Sequence, residues 1–285
     1  MLEIGKYHQL SILRETSVGL FLGTEDGDQE NDVLLPNKYV PKEYGVGDVL
    51  NVFVYLDFDE RRIATDIKPK ILLHQFAFLK VVAVSQVGAF MDWGLEKDLM
   101  VPYKEQRQKM QEGRWYVVYM DIDLKTDRLF ASNRLDRYLS NETLSVSEGD
   151  KVDIIITQKN ELGYSAIVNQ KHSGLIFESE VYKDLNVGQN VVAYVKKIRP
   201  DHKIDLSLQP IGFDQYNDAN TKKLLSALEA GGGFLKLNDV SSPDDIGHLL
   251  QMSKKAFKKS LGSLYRDRKV RIVEGGIKLI RSKAG

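Results

Sequence analysis

The residue types that most often carry catalysis are few and scattered in this 285-residue chain. It contains no cysteine, which excludes thiolate zinc sites, thiol nucleophiles and a disulfide framework. Its five histidines show no metal-ligand spacing; they are His8, His74, His172, His202 and His248. Asp121 and Asp123 alternate along one strand, where a magnesium site is the less favoured interpretation. The sequence therefore predicts a protein without a catalytic site, metal or cofactor.

Cationic side chains are concentrated in a C-terminal stretch, KKAFKKSLGSLYRDRK, that begins after Ser253. At 100° per residue its apolar positions form one helical stripe, made of Phe257, Leu261, Leu264 and Tyr265. A neighbouring arc is cationic and consists of Lys254, Lys255, Lys258 and Lys259. Such an arc favours contact with the phosphates of a nucleic acid.

The formal net charge of zero hides a strong asymmetry along the chain. Residues 1–66 carry a net charge of −7, residues 67–140 of +3, residues 141–212 of −2 and residues 213–285 of +6. Polyanions respond to local charge, so an acidic head and a basic tail predict different partners at the two ends. The acidic head is densest at Glu25, Asp26, Asp28, Glu30 and Asp32, either a solvated insertion or a site for a basic protein partner.

Composition places the chain among ordinary globular proteins. The apolar share is 42% and the charged share is 28%, and no stretch approaches the roughly 18 apolar residues of a membrane span. The first residues show no basic segment followed by an apolar run, so no signal peptide is expected. We expect a cytoplasmic protein without a membrane partner.

A repeated strand pattern organises the first three quarters of the sequence. Residues 86–101 (QVGAFMDWGLEKDLMV), 161–176 (ELGYSAIVNQKHSGLI) and 17–35 (SVGLFLGTEDGDQENDVLL) share one shape. Each begins with a glycine and a short β-rich strand, and each is followed by another glycine and an alternating apolar strand. Five short strands in roughly 70 residues favour a small closed barrel. We predict three such modules, at 1–66, 67–140 and 141–212.

Residues 213–285 show a different, helical periodicity. A helix ending near Ala230 is followed by glycines, a short strand at Phe234 and a helix that starts after Ser242 with proline at its first position. The lysine-rich helix and a hairpin around Gly275 come next. Helix, strand, helix, helix and hairpin is the order of a winged helix, whose third helix usually enters the DNA major groove.

The phrases VGAFMDWGL at 87–95 and DRLFAS at 127–132 resemble the S1-type RNA-binding domain, a five-stranded OB-fold barrel. The third copy is similar to the same family, and the first copy diverges most. Three such modules before a winged helix, with the phrases VGAFMDWGLEKDLMVP and KKAFKKSLGSLYRDRKV, are similar to the CvfB family (conserved virulence factor B). That resemblance implies a bacterial RNA-binding protein that influences the expression of many genes. The expected fold class is mainly β, with three tandem OB-fold barrels followed by a small α+β winged helix.

The S1 resemblance also implies positions for base stacking and phosphate contact. By matching position it assigns stacking to Phe90 and Phe21, although either ring is equally compatible with a core position. Trp93, flanked by Asp92 and Gly94, is expected to be an exposed second platform. Cations before the closing strands correspond to Arg62, Arg128 and Lys203, which would otherwise solubilise hairpin tips. Further phosphate contacts are expected from Lys80 and Arg114 in the second module and, near the hairpin of the winged helix, from Arg268 and Arg271.

Departures from the S1 pattern predict unequal modules. Many S1-type domains carry a histidine after the second strand, and we match that position to Leu35, Val101 and Phe177. The third module has Ser165 in place of the stacking aromatic, with Tyr164 on the opposite pleat. We therefore expect the second module to bind best, the third weakly, and the acidic first module to repel phosphate.

Three functional hypotheses remain open. The leading one is a non-catalytic regulator that binds single-stranded RNA, with low sequence specificity, chiefly through the second module. In that case the winged helix adds affinity for RNA, DNA or a duplex. A protein-assembly adaptor that uses the acidic first module and the winged helix is the alternative. The third hypothesis is a nuclease accessory without chemistry of its own.

Overall fold

The computed structural model describes residues 2–24, 32–210 and 213–280, and its backbone is mainly strand. The strands form four separate sheets, three of five strands and one of three. The expected fold class is confirmed: OB-type β modules precede a winged-helix region. Within the described ranges, no helix combines the length and the apolar character needed to cross a membrane.

The first module is a closed barrel. Its strands are β1 (Lys6–Thr16), β2 (Gly19–Gly23), β3 (Val33–Pro36), β4 (Val49–Leu56) and β5 (Arg62–Thr65). They pair in the order β1-β2-β3-β5-β4, and β4 returns to β1, which leaves no free edge. The β3–β5 pair is parallel and the others are antiparallel.

The second module has the same strand succession but its sheet is open. Its strands are β6 (Phe76–Val84), β7 (Gly88–Asp92), β8 (Leu99–Pro102), β9 (Trp115–Asp123) and β10 (Arg128–Ser132). The ladder order is β10-β9-β6-β7-β8, so the expected closed barrel is a half-barrel here. Two hydrogen bonds near the ends of the edge strands β10 and β8 connect these strands. Asn133 N donates to Glu105 O at 2.9 Å, and Ser132 Oγ donates to Glu105 Oε2 at 2.8 Å.

The third module is again a closed barrel. Its strands are β11 (Lys151–Asn160), β12 (Gly163–Val168), β13 (His172–Phe177), β14 (Asn190–Ile198) and β15 (Ile204–Ser207). They follow the order β11-β12-β13-β15-β14, with β13 and β15 parallel. The repeated sequence pattern therefore corresponds to a repeated topology.

One glycine in each module explains why the pattern begins as it does. Gly19, Gly88 and Gly163 open β2, β7 and β12 with φ of 149°, 158° and 141°. A Cβ at these positions would lie 2.1, 2.3 and 2.1 Å from a carbonyl oxygen of the facing strand. No side chain fits there, so only glycine permits this close strand pairing.

Aromatic packing joins the first and second modules. Trp93 is 3% exposed, and its ring meets Phe53 edge-on at 5.8 Å and Tyr55 at 6.2 Å. Its Nε1–H donates to Lys97 O at 2.5 Å, which satisfies the indole. The expectation of an exposed Trp93 is wrong, because the partners that bury it come from the other module. The chain accordingly divides into two compact units, Met1–Tyr138 and Leu139–Gly285.

The four-domain division at 66, 140 and 212 stays a prediction. The carboxylates from Glu25 to Glu30 in the acidic segment lie outside the described residues. Asp32 is described, and its Oδ2 accepts from Arg14 Nη1 at 2.7 Å.

The C-terminal region has the predicted order of elements. They are α1 (Phe213–Ala230), β16 (Phe234–Leu235), α2 (Pro243–Leu250), α3 (Lys254–Arg266), β17 (Val270–Val273) and β18 (Gly276–Leu279). The predicted helix starts are confirmed: Ser242 Oγ caps α2 by accepting from Asp245 N at 3.0 Å, and Ser253 Oγ caps α3 by accepting from Ala256 N at 3.2 Å. Phe257, Leu261 and Leu264 are buried as predicted. Tyr265 is 57% exposed, so it is not part of the apolar stripe.

A fully buried histidine ties the start of the third module to its barrel. His172 Nε2 accepts from Ser145 N at 3.1 Å, so the ring proton resides on Nδ1. That Nδ1–H donates to Ser140 O at 2.6 Å. Both ring nitrogens are therefore satisfied, and the residue is structural.

Replacing Trp93 should destabilise the first compact unit strongly. Trp93→Ala removes a buried ring and leaves a cavity, at an expected cost of about 3–5 kcal/mol. The measurement is urea unfolding of the full chain followed by tryptophan fluorescence, since both tryptophans lie in this unit. Trp115→Ala is the matched control, because Trp115 is 50% exposed. Equal losses for the two variants would contradict the assignment.

Replacing His172 should destabilise the second compact unit. His172→Ala leaves Ser145 N–H and Ser140 O without their buried partners, at a cost of about 3 kcal/mol. The measurement is amide hydrogen exchange in β11 to β15 of the full chain. His248→Ala, at an exposed position of α2, serves as control and should change stability by less than about 0.5 kcal/mol. An effect of His172→Ala no larger than that would show that the hydrogen bonds contribute nothing.

Candidate nucleic-acid interface

The outward side chains of β9, β6, β7 and β8 form one continuous face, which we call the second-module wall. Strand register places Trp115 opposite Lys80, and Lys80 opposite Asp92, so the three form a row across β9, β6 and β7. Phe90 lies two residues from Asp92 on the same face of β7 and pairs with Met100 of β8. A nucleic-acid strand crossing this wall would meet two aromatic side chains, Trp115 and Phe90, with Lys80 and Asp92 in the same row as Trp115.

Phe90 points away from the core. Its neighbours Ala89 and Met91 are fully buried, whereas Phe90 is partly exposed. Alternation along a strand sends successive side chains to opposite faces, so Phe90 lies on the wall. This geometry removes the core interpretation of Phe90.

Trp115 and Phe78 were not recognised as platforms from the sequence. Trp115 is 50% exposed, and its ring stacks on Phe78 with centroids 5.4 Å apart and planes 29° apart. The pattern that would have revealed Trp115 is the alternation WYVVYM, in which Val118 and Met120 are fully buried. Trp115 replaces Trp93 as the tryptophan available for stacking.

Around Lys80 the wall carries two exposed cations and one compensated carboxylate. Lys80 and Arg114 are exposed. Lys70 Nζ donates to Asp92 Oδ2 at 2.5 Å, and this hydrogen bond lowers the pKa of Asp92 against the effect of its burial. The Asp92 carboxylate is thus ionised but paired, which limits its repulsion of phosphate.

The cations before the closing strands each pair with a carboxylate. Arg128 forms an ion pair with Glu60 of the first module, and that hydrogen bond raises the pKa of Arg128. Arg62 Nη2 of the first module lies 3.4 Å from Asp127 Oδ2 of the second module. Lys203 lies 2.8 Å from Asp201. Two of these pairs link the first two modules, so phosphate would have to compete for Arg62 and Arg128.

The position matched to the S1 histidine requires a correction. Gly19, Gly88 and Gly163 pair with Pro36, Pro102 and Phe177 respectively. The equivalent residues are therefore Pro36, Pro102 and Phe177. Leu35 and Val101 are fully buried core residues one position earlier. A slip of one residue moves a side chain to the other face of a strand, which explains the error.

The other two modules present rings that are already in contact with arginine. Phe21 is partly exposed, as its matched position implied, and the Arg14 guanidinium carbon lies 4.2 Å from its ring centroid. In the third module Tyr164 is buried, as predicted, and Ser165 leaves β12 without an outward ring. Phe177 is partly exposed instead, with Arg199 at 5.4 Å.

The lysines of α3 differ in their exposure. Lys255 and Lys258 are exposed, whereas Lys254 and Lys259 are partly buried. Lys254 Nζ donates to Val240 O at 3.5 Å, and Lys254 and Lys255 line a cleft against the turn 179–184 of the third module. Beyond the helix, Arg268 and Arg271 are exposed. The winged helix therefore offers several cations to solvent, as the sequence predicted.

The carboxylates of β9 are used locally. Asp121 Oδ1 accepts from Ile122 N and Asp123 Oδ1 accepts from Lys125 N, both at 2.9 Å. The described part of the chain contains no group of three histidine or carboxylate side chains placed to hold a metal ion.

Comparison with known families matches two parts of the chain. Residues 4–66 match an S1 domain, and residues 222–279 match a CvfB-like winged helix domain. The first module, which diverges most by its motifs, therefore matches the S1 domain over nearly its whole predicted length.

Relatives match nearly the whole chain. An uncharacterized protein, YitL, of Bacillus subtilis is 28% identical over 276 residues, covering 93% of this chain and 90% of the relative. Conserved virulence factor B of Staphylococcus epidermidis is 24% identical over 266 residues, covering 90% and 88%. A crystal structure of a Streptococcus pneumoniae multidomain protein with nucleic acid binding domains is 26% identical, with a TM-score of 0.42, covering 97% and 98%.

Fold and matches together define a class of protein: S1-type barrels followed by a winged helix, both of them nucleic-acid-binding domain types. Within that class, the chain is similar over most of its length to conserved virulence factor B. The resemblance to the CvfB family that its motifs indicated is confirmed.

Proposed function

We propose that this protein is a non-catalytic regulator that binds single-stranded RNA chiefly through the second-module wall. The observation that carries the proposal is the row of Trp115, Lys80 and Asp92 beside the outward ring of Phe90. We further propose that it acts in the cytoplasm, as expected from its sequence. The resemblance to the CvfB family supports a role in the expression of other genes.

Rings and cations on an open face suit an unpaired strand. Unstacked bases can lie on Phe90 and on the Trp115–Phe78 pair, each base contributing about 1–3 kcal/mol without a strong sequence requirement. Lys80 pairs with Trp115 on one side and with Asp92, two residues from Phe90, on the other, and can contact a phosphate of a strand that spans the two platforms. A duplex would keep its bases stacked inside and could not use these rings.

Local charge favours the second module over the first. Residues 67–140 carry a net charge of +3, whereas residues 1–66 carry −7. Phosphate is attracted to the former and repelled by the latter within a Debye length of about 8 Å. The acidic first module would instead bind a basic protein partner. This part of the proposal is also part of the adaptor hypothesis.

The winged helix should add phosphate contacts of low selectivity. Residues 213–285, which contain the winged helix, carry a net charge of +6. Lysine is a point charge without the planar fork that reads base edges, so the α3 lysines suit phosphate of RNA or duplex DNA.

Single substitutions on the wall should weaken RNA binding. We expect Phe90→Ala and Trp115→Ala each to raise the Kd for a fluorescent uridine oligonucleotide about tenfold, because each loses one stacked base. The measurement is fluorescence anisotropy of the full chain at low salt, with circular dichroism to verify the fold.

Phe58→Ala is the matched control for these wall variants. Phe58 is 72% exposed but follows Asp57 and precedes Asp59 and Glu60 in the first module, where phosphate is repelled. Its replacement should leave the Kd unchanged. Absence of any RNA binding at low salt would overturn the proposal and favour the adaptor hypothesis.

Removal of the α3 lysines should change the salt dependence of binding. The variant replaces Lys254, Lys255, Lys258 and Lys259 by alanine. On a single strand, the slope of log affinity against log salt should become shallower by about 0.7 for each phosphate that these lysines neutralise. An unchanged slope would remove α3 from the interface. In the same assays, reproducible cleavage of RNA with magnesium by homogeneous protein would overturn the non-catalytic assignment.

A further inference from the structure

A guanidinium covers the outward ring of the first module. The Arg14 guanidinium carbon lies 4.2 Å from the centroid of Phe21, and Arg14 Nη1 donates to Asp32 Oδ2 at 2.7 Å. The Asp32 side chain is 10% exposed, so the carboxylate is a nearly buried anchor. We call this arrangement the ring–guanidinium–carboxylate triad.

The third module builds the same triad from different positions. Arg199 lies 5.4 Å from the centroid of Phe177. Its Nε donates to Asp205 Oδ2 at 3.0 Å, and its Nη2 lies 2.9 Å from Asp205 Oδ1 as the second half of an ion pair. Two adjacent nitrogens of one guanidinium therefore face the two carboxylate oxygens, while the same guanidinium lies over an aromatic ring.

The second module retains the ring and the carboxylate but lacks the guanidinium. Arg14 pairs with Phe21 across β1 and β2, and the residue that pairs with Phe90 across β6 and β7 is Ala83. The carboxylates are equivalent in position, because Asp32 and Asp98 each lie two residues before the β3 or β8 partner of the ring. Alanine cannot fill the space that arginine fills in the first module.

Asp98 also has the electrostatic character of a carboxylate without a cation. Asp98 is exposed overall, but the partial burial of its carboxyl and, to a smaller extent, the neighbouring Asp92 raise its pKa. Among the described residues, no lysine, arginine or histidine forms an ion pair with it. A ligand that brings N–H donors to Asp98 would be stabilised more than at a carboxylate already paired.

One RNA base reproduces the missing group. The Watson–Crick edge of guanine has N1–H and the N2 amino group side by side in the plane of the ring, the same two-pronged donor that a guanidinium offers. Uracil has a single N–H between two carbonyls, while adenine and cytosine place an amino group beside an acceptor nitrogen. Guanine alone can stack on an aromatic ring and donate twice to one carboxylate.

We propose that the second module selects guanine, which stacks on Phe90 and donates from N1 and N2 to the Asp98 carboxylate. This inference rests on the proposed function, since it assigns a base to the site where single-stranded RNA binds. Arg14 in the first module occupies the equivalent space, where it lies over the Phe21 ring and donates once to the Asp32 carboxylate. Asp98 is thus a specificity-determining residue. Ala83 leaves open the space beside Phe90 that arginine fills in the first module, and we call this space the slot.

The test compares oligonucleotides that differ at one base. Uridine oligonucleotides carrying one central guanosine, inosine, adenosine or uridine are titrated against the full chain by fluorescence anisotropy. Inosine keeps N1–H and the ring but lacks the N2 amino group. We expect guanosine to bind about tenfold tighter than inosine or uridine, because one of two charge-assisted donors is absent in inosine.

Variants at the slot should separate its chemistry from general affinity. Asp98→Asn should abolish the preference for guanosine, while the all-uridine oligonucleotide binds as to the unmodified chain. Ala83→Arg should also abolish that preference, since the new guanidinium takes the slot, although it adds a positive charge. Gln86→Arg, at the exposed β6–β7 turn, adds the same charge elsewhere and should keep the preference.

Failure of this inference and failure of the proposed function give different results. Equal affinity for guanosine and inosine oligonucleotides, together with weakening by Phe90→Ala, would overturn guanine selection and leave RNA binding intact. A guanosine preference that persists in Asp98→Asn would equally overturn the assignment. No binding of any oligonucleotide would instead overturn the proposed function itself.

Discussion

The close approach of a glycine to the facing strand is the constraint on which each module depends. At Gly19, Gly88 and Gly163 a carbonyl oxygen occupies the space of a side chain, so this pair of strands has one permitted register. Since strand side chains alternate between faces, that register decides which residues enter the core and which face solvent. The outward positions of Phe21 and Phe90 follow from it, as does the slot beside each ring.

Elements with strong local signals could be predicted from the sequence. The alternating strands, the opening glycines and the serine caps at Ser242 and Ser253 are encoded within a few residues, and the structure contains them. The winged-helix order follows for the same reason. Local propensity and tertiary packing agree at these places.

Features that depend on distant partners could not be predicted in this way. Trp93 follows a strand end and is flanked by polar and small residues, which indicates exposure, but Phe53 and Tyr55 from the preceding module bury it. The ion pair between Arg128 and Glu60 has the same origin, since the partners are far apart in the chain. Asp98 gave no signal at all, because its role emerges from comparing two sheets residue by residue. Single modules were predictable, whereas their junction and their side-chain pairing were not.

If RNA binds the second-module wall as proposed, the packing of Trp93 against the first module also gives the bound strand a direction. Because Phe53 and Tyr55 hold the indole on two sides, the negatively charged first barrel cannot swing away from the half-barrel it adjoins. A strand that leaves the wall toward that neighbour encounters electrostatic repulsion at a fixed place, while a strand that leaves on the far side does not. Because this aromatic packing holds the two modules together, the difference in charge between them gives the polynucleotide a preferred path.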